Sequence, residues 1–370
     1  MTGQQSGRNA RAADALPRIL FFNVNGSGMG HLNRCLAYAR RLRGRARPFF
    51  FSLASAIELI EEMGFEADYF VSHYWSDNST FAWNSELAIR LGLVLERVRP
   101  DAIVFDGTWP FKGFLTACET YGSPALIWSN RGLLKSDTKT VPVDEGLFDL
   151  VIQPGELGAG EARSYPAGGG TRLTVPPVCL LEDDELLDRT AARQTLGLPQ
   201  DGRFVLFSLG PGNLKDVAGI GHGLIDAFES AGFRVVWARA PISVRDVELP
   251  VGVLPVSVYP LARSLRAFDA FVGAAGYNTC CELVQSRVPA LLVPNAQLVD
   301  DQLRRARMVA GVMPAVVSAC ETAQERHAAV DALLGMLRDA PSTQAAVPMN
   351  GASRAAEAIM AVVADRRRAH

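Results

Sequence analysis

The chain has 370 residues and a formal net charge of −2, with 48% hydrophobic and 21% charged residues. A balance this near neutrality excludes a general electrostatic pull towards nucleic acid, and the length suits two globular domains, not one. No apolar run reaches the roughly 18–20 residues needed to cross a bilayer, so no transmembrane segment is expected; peripheral membrane contact and oligomeric state are left open.

Residues 1–17 are polar, contain arginine and lack an apolar stretch; they read as a disordered leader without a signal peptide. The six cysteines (Cys35, Cys118, Cys179, Cys280, Cys281, Cys320) show no C-x-x-C spacing, so buried thiols in a reducing, cytoplasmic setting are expected and no metal site. The basic runs Arg40–Arg47 and Arg366–Arg368 read as solvated helix ends or tail.

Arg18–Val24 reads as a buried strand that runs into the loop Asn25–Gly30 and a helix over His31–Arg43. A strand over Pro48–Leu53, a helix over Ala54–Met63 and a long helix over Ser85–Val98 follow. Asp101–Phe105 is a short apolar strand ending at Asp106-Gly107, and Ala125–Trp128 and Leu150–Gln153 complete this half. Short apolar strands between helices argue for a parallel sheet covered on both faces. The stretch Gly155–Pro177 carries Gly-Ala-Gly, a glycine triplet and Pro176-Pro177; nothing periodic survives there, and the interdomain connection is expected in its C-terminal part. The pattern restarts with strand Arg203–Leu209, helix Val217–Ala231, strands Phe233–Ala238 and Ala270–Val272, helix Tyr277–Ser286, strand Ala290–Val293 and helix Asp300–Ala310. Ser353–Arg367 is a terminal amphipathic helix.

The fold class expected is therefore α/β, with two successive Rossmann-like units. The expected domains are 18–175 and 176–345, with 346–370 as a C-terminal helix.

The loop between the first strand and first helix contains Gly26, Gly28 and Gly30 but not the third glycine of the dinucleotide fingerprint. Its informative residue is His31, placed where open α/β sheets bind ligands. A histidine there can take a proton from a hydroxyl near neutral pH; a helix-capping or packing role is the alternative. Asp106 ends a later strand at the same sheet edge, and a carboxylate bonded to one imidazole nitrogen fixes the tautomer of the other. Asp106 before Gly107 also suits a plain turn.

In the second half, Gly273-Ala274-Ala275-Gly276 joins a strand to a helix opening at Tyr277-Asn278-Thr279. Small residues at such a turn let phosphate approach backbone amides and the helix dipole. Glu282 is placed to accept ribose hydroxyls, or to form a capping box with Thr279. Asp300, Asp301 and Gln302 at the next loop-to-helix junction suit sugar hydroxyls or plain helix-start acids. A second turn, Ser208-Leu209-Gly210-Pro211-Gly212-Asn213, can cover a diphosphate from the other side and lacks a Walker ending.

These residues resemble the GT-B nucleotide-sugar glycosyltransferases, both family 1 and the family 28 enzymes represented by the lipid II-forming N-acetylglucosaminyltransferase. Ala275-Gly276-Tyr277-Asn278-Thr279-Cys280-Cys281-Glu282 is similar to the family 1 segment that binds diphosphate and ribose. Asp301-Gln302 matches the acidic-Gln pair that holds the donor sugar. Gly28-Met29-Gly30-His31 is similar to the N-terminal glycine loop, whose histidine is the acceptor base. Val258-Tyr259 falls where main-chain groups hold the nucleotide base. The resemblance implies two Rossmann-like domains facing a cleft, the first acceptor-binding and the second donor-binding, with the terminal helix crossing back.

It further implies an inverting, metal-independent transfer from a UDP- or dTDP-sugar to a hydroxyl or amine, with no cofactor beyond the co-substrate. The implied donor residues are Ser208, Gly210, Gly212, Asn213, Val258, Tyr259, Ala275, Gly276, Asn278, Thr279, Glu282, Asp301 and Gln302. The acceptor side is expected at Gly28, Met29, Gly30, Trp109 and Arg131, with Pro110, Phe111 and the aromatic stretch Tyr69–Trp83 as further candidates. Ala274 departs from the phosphate-binding histidine of many family 1 members, and no uracil-stacking tryptophan is evident. Gly30-His31-Leu32-Asn33-Arg34-Cys35 also resembles a UDP-sugar hydrolase of the same fold, in which the histidine activates water. A nucleotide-sugar epimerase and a non-enzymatic sugar-nucleotide sensor are the remaining alternatives.

Overall fold

The structure is a computed structural model and describes residues 16–24, 28–122, 124–130, 133–138, 143–157, 164–167, 170–209, 217–239, 241, 248–295, 299–338, 347–349 and 351–369. The first sheet is built from β1 (Arg18–Asn23), β2 (Arg47–Ser52), β3 (Glu66–Tyr69), β4 (Ala102–Asp106), β5 (Ala125–Ser129), β6 (Leu150–Pro154), β7 (Ser164–Ala167) and β8 (Gly170–Val175). Its helices are α1 (Gly30–Arg41), α2 (Ile57–Glu62), α3 (Thr80–Val98) and α4 (Lys112–Tyr121). The second sheet holds β9 (Arg203–Ser208), β10 (Phe233–Ala238), β11 (Leu254–Val256), β12 (Ala270–Gly273), β13 (Ala290–Leu292) and β14 (Ala315–Val317). Around it lie α5 (Arg189–Thr195), α6 (Val217–Ser230), α7 (Tyr277–Ser286), α8 (Gln302–Ala310), α9 (Ala323–Arg338) and the terminal α10 (Gly351–Ala369).

The first sheet runs β3-β2-β1-β4-β5-β6-β8-β7 and the second β11-β10-β9-β12-β13-β14. All pairings are parallel except β7 with β8. Each sheet thus contains the doubly wound order 3-2-1-4-5-6, with its reversal between β1 and β4 or between β9 and β12. Loops leaving those neighbouring strands diverge to opposite faces and open a crevice at the C-terminal strand edge. In open α/β sheets such reversals are where ligands bind.

The strands are apolar on both faces because helices cover both. In β1, Ile19–Phe22 are fully buried. Phe22 stacks on Phe51 at 5.3 Å and on Phe105 at 5.2 Å, and Phe21 stacks on Phe50 at 5.3 Å, which ties the three central strands together. In α10, Ala352, Ala355, Ala356, Ile359 and Val363 form a buried stripe at helical spacing. This helix packs on α1, β5, β6 and β8 of the first sheet, and Arg367 Nε donates to Asp101 Oδ1 at 2.9 Å.

Several sequence expectations need correction. Gly155–Pro177, which showed no periodic pattern, carries β7 and β8, and these extend the first sheet. Strand β3, helix α4, helix α9 and strand β14 had no counterpart in the pattern. Arg40 and Arg41 are not solvated: both donate to the Leu180 carbonyl and pair with Glu185 and Glu182, fastening α1 to the chain that leaves β8. All six cysteines are free and buried.

Candidate active site

His31 is the second residue of α1, just beyond the C-terminal end of β1; Asp106 is the last residue of β4. These are the two strands at the reversal of the first sheet, so the topology brings the side chains together across 75 residues of sequence. His31 Nδ1 lies 2.6 Å from Asp106 Oδ1. An ionised carboxylate only accepts, so this bond requires the hydrogen on Nδ1 and leaves Nε2 as the basic nitrogen. His31 is 6% exposed and Asp106 fully buried.

Sequence reasoning missed the rest of this cluster. Arg34, one turn along α1 and 3% exposed, donates from Nε to Asp106 Oδ2 at 2.9 Å and from Nη2 to Oδ1 at 2.6 Å. Ser129, the register partner of Asp106 on β5, donates from Oγ to Oδ2 at 2.6 Å. Tyr38 reaches that hydroxyl at 3.2 Å. Burial alone would raise the Asp106 carboxyl, but the Arg34 charge and the bonds from His31 and Arg34 outweigh it and hold the carboxyl at about 2. Asp106 is therefore a fixed anion and takes no proton in the working pH range. The sequence signals are weak: for Arg34 only its i+3 spacing to His31, and for Ser129 only its place at the end of the next strand.

The second reversal lies opposite. Gly273, last residue of β12, pairs with Ser208 at the end of β9, and Ala274 N donates to the Ser208 carbonyl at 3.3 Å. A Cβ at Gly273 would overlap that carbonyl, so glycine is needed for the close approach. The N-cap of α7 is Gly276, with no side-chain cap, and the first bond of the helix is Cys280 N to Gly276 O. The amides of Tyr277, Asn278 and Thr279 therefore lack acceptors among the described residues, and the positive end of the helix dipole is open. The capping-box alternative for Glu282 falls, because Thr279 is inside the helix and caps nothing. Glu282 is half-buried and has no hydrogen bond or ion pair among the described residues; burial pushes its carboxyl up to about 8.

Asp301 is the N-cap of α8 and accepts from Arg304 N at 3.0 Å. Gln302 is buried, and its Oε1 accepts from Asn295 N at 3.0 Å. Both therefore already hold the loop that joins β13 to α8. Asp300 is engaged by Arg305 at 2.7 Å. Val258 and Tyr259 follow β11, and the Tyr259 hydroxyl crosses to Asn33 Oδ1 of α1 at 2.7 Å. Trp109 is half-buried in the loop after β4, which Trp128 Nε1 pins by donating to the Gly107 carbonyl at 2.9 Å. Gly28, Met29 and Gly30 lie at the start of α1, and Ala275 is buried in the turn before α7. Gly210, Gly212, Asn213 and Arg131 lie outside the described residues.

Phe111 is half-buried and packs on Trp83 and Phe105 at the margin of the core. The aromatic stretch divides: Phe70 and Trp83 are core, whereas Tyr74, Trp75 and Phe81 are exposed. Among the described residues no cluster of His, Cys, Asp or Glu could hold a metal ion, and no helix is long and apolar enough to cross a membrane.

The two reversals are held in register by direct contacts. Tyr277 donates its hydroxyl to the Gly155 carbonyl at 3.0 Å and accepts from Val178 N at 3.0 Å. Its ring lies between the guanidiniums of Arg34 and Arg305, at 5.6 and 5.7 Å from its centroid. Arg305 also pairs with Glu156 at 2.9 Å, and Leu134 bridges to Asp300.

No protein-family model and no curated relative matches the sequence. Solved structures match across almost the whole chain. The spinosyn forosaminyltransferase SpnP is 14% identical with a TM-score of 0.60, covering 95% of this chain and 96% of its own. The spinosyn rhamnosyltransferase SpnG complexed with thymidine diphosphate is 16% identical with a TM-score of 0.55, covering 94% and 96%. MurG of Acinetobacter baumannii is 12% identical with a TM-score of 0.53, covering 93% and 99%. With two doubly wound sheets and a terminal helix that returns to the first, the chain has the GT-B fold of these glycosyltransferases.

Proposed function

We propose that the chain is an inverting, metal-independent glycosyltransferase. Its donor is a UDP- or dTDP-sugar held by the 176–345 half, and its acceptor is a small molecule bound by the 18–175 half. The observation that carries this reading is the pairing of two features at the facing reversals. One is a histidine whose tautomer is set by a buried carboxylate. The other is an uncapped helix N-terminus behind a small-residue turn.

In this reading the diphosphate lies on the amides of Tyr277, Asn278 and Thr279, and its charge offsets the open dipole of α7. The ribose hydroxyls donate to Glu282. Val258 and Tyr259 hold the base, and the sugar reaches Asp301 and Gln302 through the polar atoms their internal bonds leave over. Gly210, Gly212 and Asn213, which lie outside the described residues, are assigned to the diphosphate by the resemblance alone. Gly28, Met29, Gly30, Trp109 and Arg131 contact the acceptor.

His31 Nε2 removes the proton from the acceptor hydroxyl or amine as that atom attacks the anomeric carbon. The bond from the anomeric carbon to the β-phosphate oxygen breaks on the opposite side, and the nucleoside diphosphate leaves with the electron pair. A single displacement inverts the anomeric configuration. The leaving charge develops against preorganised amides, which is where electrostatic stabilisation is largest. The complexes of structural neighbours support the two-substrate scheme: one is with thymidine diphosphate and another with spinosyn aglycone. A cytoplasmic location accords with the supply of nucleotide sugars and the unpaired thiols.

Proton NMR of the product formed from α-linked UDP- and dTDP-sugars, with excess chelator present, tests the stereochemical and metal claims together. A β-linked product at undiminished rate is expected. An α-linked product, or activity lost to chelation, would sink them.

A further inference from the structure

We infer that Arg34 sets the charge balance of the His31–Asp106 pair, acting as a positioning residue that keeps the imidazole neutral and therefore basic to lower pH. This inference rests on the reading of His31 as the base.

The geometry is specific. Asp106 receives four hydrogen bonds: one from His31 Nδ1, two from Arg34 and one from Ser129. Four donors saturate a carboxylate, so its orientation, and with it that of the imidazole, is fixed. Arg34 does more than orient. Its Nη2 lies 3.0 Å from His31 Nδ1, so a permanent positive charge sits almost as near the ring as the negative one at 2.6 Å. A bare His–Asp pair carries a net charge of about −1 beside the ring, which favours the imidazolium; with Arg34 that net charge is about zero. Arg34 stays charged because the attraction of Asp106 more than offsets its burial.

The other ionisable groups described on α1 and α7 beside this cluster carry no charge. Cys35 and Tyr38 of α1 are held protonated by burial. Tyr277 of α7, which Arg34 reaches across the cleft, is likewise held neutral by burial. Ser129 of β5 carries no charge. Among the described residues, Asp106 and Arg34 are thus the charged groups in direct contact with the imidazole.

The test is the titration of His31 in the protein without substrate. The protein is labelled with nitrogen-15 in its five histidines, and the His31 signal is assigned by its loss in His31→Gln. Four forms differ in the charge beside the ring: wild type, Arg34→Gln, Asp106→Asn and the double variant. The midpoint is expected to rise by about one to two pH units in Arg34→Gln and to fall by a similar amount in Asp106→Asn. The double variant should return to within about half a unit of wild type, because both charges are gone. Arg34→Lys, which keeps the charge, should hold the wild-type midpoint.

In the transfer reaction the acid limb of kcat/KM should follow the same order. An equal loss of rate at every pH, with unchanged midpoints, would mean that Arg34 is only a structural support. A midpoint unchanged in Arg34→Gln overturns the inference outright. Because the titration needs no substrate, it stands or falls separately from the transferase reading: shifted midpoints with no transfer activity would retain the electrostatics and discard the reaction.

Discussion

Glu282 offers a prediction that joins folding to ligand binding. The substitution is Glu282→Gln, which keeps the shape and removes the titration. In the folded chain this carboxyl is half-buried, has no partner among the described residues and is pushed by burial up to about 8. It is therefore about nine-tenths protonated at pH 7. In the unfolded chain it titrates near the ordinary glutamate value of 4.5. The folded value is raised, so the folded state holds a proton that the unfolded state releases. Stability should fall as pH rises from about 4.5 to about 8 and then level off. Full burial would put this penalty at about 5 kcal/mol; the solvent contact that remains reduces it to roughly 2.

Thermal melts followed by circular dichroism at pH 5 and pH 8.5 read the effect. The variant should match wild type at pH 5 and melt a few degrees higher at pH 8.5. If ribose hydroxyls donate to the ionised carboxylate, nucleoside diphosphate binding at pH 7 should release close to one proton. Calorimetry in buffers of different ionisation enthalpy measures that release. Glu282→Gln should abolish it and weaken binding about tenfold or more. A stability difference of equal size at both pH values, together with binding that releases no proton, would refute the reasoning.

Other expectations follow from single contacts. His31→Ala should lower kcat by about 10²–10⁴-fold while donor affinity, measured by calorimetry, stays nearly intact; a two-fold loss would remove His31 from the chemistry. Tyr277→Phe strips partners from the Val178 amide and the Gly155 carbonyl and should cost about 1–3 kcal/mol in urea unfolding, with no effect if water replaces the hydroxyl. Gly273→Ala forces a Cβ into the Ser208 carbonyl. It should weaken nucleotide binding more than it lowers the melting temperature, and equal loss of both would place the strain in the core, not the site.

The architecture was largely legible because buried parallel strands announce themselves as apolar runs, whereas the order of the strands within each sheet was not. His31 and Asp106 could be placed at one sheet edge from sequence because each follows a predicted strand; their contact depends on the strand order, which the structure supplies. Arg34 could not be ranked: an arginine on a helix reads as solvated until its partner is known, and Asp106 is 72 residues away. Arg40 and Arg41 were misread for the same reason, since their partners lie 145 and 141 residues away. Strands β7 and β8 were hidden by glycines, which carry no periodicity, although a sheet edge tolerates them. Asp301 and Gln302 were correctly singled out as polar groups at a helix start, but sequence could not reveal that each already makes an internal bond.

The most direct test of glycosyl transfer is nucleoside diphosphate release from a panel of UDP- and dTDP-sugars, with and without a mixed pool of small-molecule acceptors, with products followed by mass. Release that depends on acceptor, accompanied by an acceptor mass increased by one sugar residue, is the expected result. Equally fast release without acceptor, yielding free sugar, would contradict transfer and assign the His31 base to water.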